Sequence, residues 1–137
     1  MYAREKRVYS VNQFEGMSPE RVVLAMFDGA IKQMHRARTA SELNEVRLKG
    51  EAVSRAVAIV AELQTALDPE AGEMSAQLDG LYDFVLRQLT DFNVHHLLEP
   101  LEQAEKVMQT LRAAWAELLE QDVQTAQTLA SPTERYL

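Results

Sequence analysis

YSVNQFEGMSPERVVLAMFDGAI, residues 9–31, is the stretch on which the fold turns. Its first half carries aromatics without any helical rhythm. Its second half starts a helix. Ser18 can cap free N–H groups, Pro19 at the first helical position gives up no needed donor, and Glu20 puts negative charge where the helix dipole favours it. Val23, Phe27, Ile31 and Met34 then form one stripe, with Ala30 beside it, while Val22 and Met26 point elsewhere. A helix with surplus apolar surface either sits deep in a bundle or waits for something to cover it.

Outward from this stretch the chain reads as four helices. The first runs over residues 19 to about 38. Thr39 and Glu42 have the spacing of a capping box and mark the next start. A second helix reaches to about residue 67 with the stripe Val46, Val53, Val57, Val60, Leu63 and Leu67, and a thinner line of Ala52, Ile59 and Ala66. Asp68-Pro69-Glu70-Ala71-Gly72 breaks the chain. The third helix, residues 73 to about 93, carries Met74, Leu78, Leu81, Tyr82, Val85, Leu89 and Phe92, with Gly80 suggesting a close packing contact. Val94-His95-His96 reads as a turn. The fourth helix, residues 97 to about 125, has the seam Leu101, Ala104, Met108, Leu111, Trp115 and Leu118.

Short connections favour antiparallel neighbours. The expectation is therefore an all-α, up-and-down four-helix bundle with an extended N-terminal segment, its second and fourth helices the longest. Residues 1–17 form the leader, 18–126 the bundle, and 127–137 a flexible tail.

With 137 residues, abundant helix formers and scarce Gly and Pro, the chain is one domain able to bury a real core. A net charge of −7 argues against nucleic acid, and Glu residues interrupt the basic groups around Arg4, Lys6, Arg7, Arg47, Lys49 and Arg55. Without cysteine there is no disulfide, thiol catalysis or Cys-ligated metal. No apolar run approaches the ~20 residues of a membrane span, and the N-terminus lacks the apolar middle of a secretory signal. A cytoplasmic protein is expected, with no membrane insertion.

The same residues offer no chemistry. A di-iron bundle needs Glu-x-x-His, yet Lys32, Phe92 and Asn93 precede His35, His95 and His96 by three. Adjacent His95 and His96 project apart, and no carboxylate pair joins them. Ser18 is better explained as a cap than as a nucleophile, and Ser54 and Ser75 sit mid-helix. Gly72 and Gly80 are isolated, so no phosphate loop exists, and Asp28-Gly29 lies within a periodic helix. No catalytic residue, metal or cofactor is expected. Tyr2, Tyr9 and Phe14 remain, with two readings open: a frayed end packing on its own bundle, or a mobile strap over a groove.

The order of several short motifs resembles the FliS family of flagellin-specific export chaperones. Met1-Tyr2 opens the chain, and Tyr9 is followed by Met17-Ser18-Pro19-Glu20 and then by Ala25-Met26-Phe27-Asp28-Gly29-Ala30-Ile31. Residues 56–67 match the family's second helix end. Leu81-Tyr82-Asp83-Phe84-Val85 and Leu111-Arg112-Ala113-Ala114-Trp115 match its Leu-Tyr-Asp-Tyr-Ile and Leu-Arg-x-x-Trp. Gly16-Met17 stands where the family usually has Thr-Ala, Phe27 where Tyr is common, and Phe92 where Ala is typical.

The resemblance implies an antiparallel bundle that uses no cofactor and binds the disordered C-terminal segment of flagellin. It implies that the bundle prevents premature polymerisation and helps bring flagellin to the flagellar export gate as a chaperone–flagellin complex. It also implies that Tyr2 and Tyr9 belong to a strap displaced by the client. Candidates for the client groove are the apolar residues off the main seams: Val22, Met26, Ala52, Ile59, Leu86, Val107 and Ala114. Each has a second reading as second-layer core packing. A bundle that self-associates through the same stripes, as a homodimer without a client, is the competing expectation.

Overall fold

Ser18 begins the first helix as its chemistry requires. In the computed structural model, which describes residues 16–130, Ser18 is extended (φ −65°, ψ 153°) and its Oγ accepts the Arg21 N–H at 3.3 Å. The helix α1 runs Pro19–Glu42, followed by α2 (Val46–Thr65), a 3-10 turn (Pro69–Ala71), α3 (Glu73–His95) and α4 (Leu98–Ala130). No strand occurs among the described residues, and the protein is all-α. Tyr2, Tyr9 and Phe14 lie outside the described residues, as does most of the expected tail.

Cross-helix bonds give the topology. Along α1 and α4 the partners are Glu20 with Trp115, Asp28 with Arg112 and Arg38 with Glu105, so the two helices run antiparallel. Between α2 and α3, Gln64 meets Asp79 and Asp83 while Lys49 meets His96, again antiparallel. Each helix packs on its two neighbours, so the four close in a ring around one core. This is the expected up-and-down four-helix bundle.

The first boundary differs from expectation. Thr39 does not cap a new helix; its Oγ1 donates to the His35 carbonyl at 3.2 Å, inside α1. The helix continues because Ala40 still faces the core, 6% exposed. It ends in a Schellman motif. Asn44 takes the left-handed conformation (φ 57°), its N–H reaching the Ser41 carbonyl, while the Glu45 N–H reaches Ala40 at 2.8 Å. The second helix consequently starts at Val46, which is exposed and outside the core stripe, and α2 at 20 residues is the shortest of the four helices instead of one of the longest. At the next boundary Asp68 Oδ1 caps the Glu70 N–H at 2.9 Å, and Ser75 Oγ donates to the Asp68 carbonyl at 2.6 Å. His96, also left-handed (φ 57°), ends α3 beyond the expected Asn93.

The buried core contains Phe27, Met34, Val60, Val85, Leu89, Phe92, Leu101 and Met108, closely following the sequence stripes. Small residues fill the α1–α2 side, with Ala30, Ala37, Ala40, Ala52 and Ala56 all buried. Met74 and Leu81, expected in the third stripe, are exposed. Gly80 has no heavy atom within 4 Å of a would-be Cβ, so it serves no close contact. Leu118, expected in the fourth seam, is 55% exposed. The reason is length: α4 has 33 residues, about 50 Å, against about 36 Å for the 24 of α1. Trp115 already lies opposite the first turn of α1, and residues 120–129 are all exposed.

Candidate functional site

Helix register places the candidate residues along three seams. Within α1, a Cβ on Gly29 would sit 3.5 Å from Ile59 Cδ1, which marks the flank facing α2. Val22 and Met26 share that flank at helical spacing, and Ala52 shares the matching flank of α2 with Ile59. Four of the seven candidates thus line one seam. Leu86 falls three and seven residues after Asp83 and Asp79, which face α2, so it belongs to the α2–α3 seam. On α4, Glu105 and Arg112 point to α1, and Val107 and Ala114 lie on the other side of the buried line, toward α3.

Exposure grades these positions. Ala52 is closed into the core at 4%, whereas Val22, Met26, Ile59, Leu86 and Val107 are half-buried and Ala114 is exposed. Further apolar surface gathers at the pole where α1 meets α2 and α3 meets α4: Leu43, Val46, Val94, Leu97 and Leu98 are all exposed. Sequence reading passed over this pole because it assigned Val46 to the core and left Leu97-Leu98 as part of a helix start. The adjacent pair Leu97-Leu98 after a His-His turn was the available signal.

Polar ties hold the fourth seam, between α1 and α4. Arg38 Nη2 donates to both oxygens of Glu105 at 3.0 Å; that hydrogen bond, outweighing burial, holds the guanidinium above its usual range. Arg112 Nε donates to Asp28 at 2.8 Å and is likewise raised. Trp115 Nε1 donates to the Glu20 carbonyl at 2.8 Å. Lys49 is the exception within the core: 2% exposed, its ammonium donates to His96 Nδ1 and lies 5.1 Å from the centroid of the Phe92 ring. Burial lowers its pKa, and burial raises that of the Tyr82 phenol.

Among the described residues no group of three His, Asp or Glu side chains is placed to hold a metal ion, and no helix is long and apolar enough to cross a membrane. What the arrangement offers is apolar seams on a frame tied by polar bonds between α1 and α4 and between α2 and α3.

Comparison with known proteins bears on this surface. The family model for the flagellar protein FliS matches residues 1–122. The flagellar secretion chaperone FliS of Salmonella typhimurium is 34% identical over 103 residues, covering 74% of this chain and 76% of that protein. Those of Vibrio cholerae and Bacillus subtilis are 27% and 25% identical over 114 residues, covering 82% and 83% of this chain and 84% and 85% of theirs. With its helical frame and with a match that spans most of its length, the chain belongs to the FliS family.

Proposed function

We propose that this protein is a cytosolic flagellar secretion chaperone whose client is the disordered C-terminal segment of flagellin. It holds that segment out of premature polymerisation and accompanies it to the flagellar export apparatus. The observation that carries this reading is apolar surface left beside a core that is already closed. Met26, Ile59, Leu86 and Val107 pack against the core yet remain half-buried. Membership of the FliS family and relatives named as flagellar secretion chaperones support the same role.

The energetics ask for an extended contact. Apolar burial contributes about 25 cal/mol per Å², and ordering a disordered segment costs several kcal/mol. A client that follows more than one seam meets that demand, which suits candidates spread over three of them. Val22, Met26, Ala52 and Ile59 form one wall, with Leu86, Val107 and Ala114 further along the path. Ala52 becomes available only as the α1–α2 seam loosens. Tyr2 and Tyr9, in the leader of residues 1–17, are the strap that the client displaces.

Titrating a synthetic flagellin C-terminal segment into the protein, with heat and helicity measured together, tests the reading. Saturable binding with a gain in helix is expected. No binding at about tens of micromolar, beside a folded control peptide, would overturn it.

A further inference from the structure

The candidate wall along the α1–α2 seam runs on into a groove. From Val22 the seam passes Met26 and the Gly29–Ile59 contact, and about 15 Å from Val22 it reaches Lys32. Between Lys32 and Leu43 it opens to about 430 Å³. That is near the low end of ligand pockets, about 300–1,000 Å³, and suits the end of a chain better than a folded partner. Its inner rim is cationic on a chain of net charge −7. Among the described residues Arg38, Arg47 and Arg112 are ion-paired, and Lys49 is taken up by His96. Lys32, Arg36 and Arg55 have no such partner, are exposed, and line this groove together. Two carboxylates also line it. Glu51 is already paired with Arg47 at 2.8 Å, and Glu45 sits at the far end, beside the pole.

A second feature lies among these cations. Gln33, between Lys32 and Arg36 in register with Arg55, lines the groove, and its Oε1 is buried without a donor. Ala40, Leu48 and Ala52 supply apolar floor beside it. The site therefore asks for three things at once: negative charge, an N–H donor and an apolar side chain. An acidic side chain answers only the first. The C-terminus of a polypeptide answers all three, with its carboxylate, the N–H of an extended last residue and that residue's side chain. If the stretch before it is helical, the negative end of its dipole meets the same cations.

We propose that the Lys32–Arg36–Arg55 groove holds the free C-terminal carboxylate of the client chain. The assignment rests on the flagellin reading above and adds a polarity to it. The client's last stretch runs along the seam in the direction of α1, passing Val22 and Met26 first and ending among the three cations, where its last N–H donates to Gln33 Oε1. A client that is still being extended, or that carries residues past its natural end, brings no carboxylate to this point. The groove thus separates finished client chains from unfinished ones.

Calorimetric titration of the full chain with three forms of one synthetic flagellin C-terminal segment tests this. The forms are the free acid, the C-terminal amide, and the free acid extended by two glycines, which moves the carboxylate by about 7 Å. The free acid is expected to bind about tenfold more tightly than either of the others, by a margin that narrows as salt rises. The variant K32Q/R36Q/R55Q, with all three positions exposed and its fold verified by circular dichroism, should bind the three forms alike, near the wild-type affinity for the amide. Equal affinities on the wild type overturn the carboxylate assignment and leave the flagellin reading standing. A folded triple variant that still prefers the free acid overturns it as well. If none of the three forms binds, the flagellin reading falls and this assignment falls with it.

Discussion

Replacing Lys49 by Met tests how this core is held together. The ammonium is 2% exposed, with one hydrogen-bond acceptor, His96 Nδ1, and the Phe92 ring 5.1 Å away, but no carboxylate. A charge-assisted hydrogen bond contributes about 1.5–3 kcal/mol and the ring about 0.5–2 kcal/mol. Desolvating the ion costs several kcal/mol, and only one of its three donors has a partner to offset that. Methionine keeps the volume of the stem, and the exposed His96 can turn to water. The expected result at neutral pH is a variant about 1–2 kcal/mol more stable than wild type.

The pH dependence follows from the same burial. Because burial lowers the Lys49 pKa, the unfolded chain binds more protons between the folded value and the ordinary ~10.4, and wild-type stability rises with pH through that interval. Tyr82 has the opposite sign: its raised phenol keeps its proton in the fold, so that stability is lost as pH passes about 10. Only the first contribution is absent from Lys49→Met. Urea unfolding followed by circular dichroism, at neutral pH and near pH 9.5, should therefore show the gap between variant and wild type narrowing. A variant less stable than wild type by more than about 1 kcal/mol, or a gap that ignores pH, refutes the reasoning.

Three further outcomes are expected. Glu105→Ala strips the Arg38 guanidinium of both its 3.0 Å bonds and should cost about 2–3 kcal/mol in chemical unfolding; a double-mutant cycle with Arg38→Ala should return most of that as coupling. Gly80→Ala, with open space around the new Cβ, should raise stability by roughly 0.5–1 kcal/mol, measured as a higher urea midpoint at unchanged slope. Trp115→Phe removes the 2.8 Å tie to the Glu20 carbonyl and should cost about 1 kcal/mol, with faster amide exchange in the first turns of α1.

The core was legible wherever helices have partners along their whole length. Phe27, Met34, Val60, Leu89 and Met108 follow from periodicity alone, because a seam with a neighbour buries what its stripe displays. Errors came where a local pattern competed with packing or where length mattered. Thr39 and Glu42 have the spacing of a cap, but Ala40 still had core to fill, and Asn44 could take the left-handed turn two residues after Glu42. Leu118 continues its stripe faithfully, yet the stripe outruns its partners. Lys49 reads as one more surface cation on a mixed helix face, and only the end of α3 folding over it makes it a buried one.

The seam that closes the ring joins the first helix to the last. Its ties, Arg38 to Glu105, Asp28 to Arg112 and Glu20 to Trp115, span 67, 84 and 95 residues of chain. The α1–α2 hairpin, by contrast, needs only a three-residue connection and can form as soon as α2 leaves the ribosome. Until residue 115 has been synthesised, the Phe27–Met34 stripe has only half its cover. A protein whose family serves export of other chains thus passes its own synthesis with an open apolar face, and the last helix to be made is the one that shuts it.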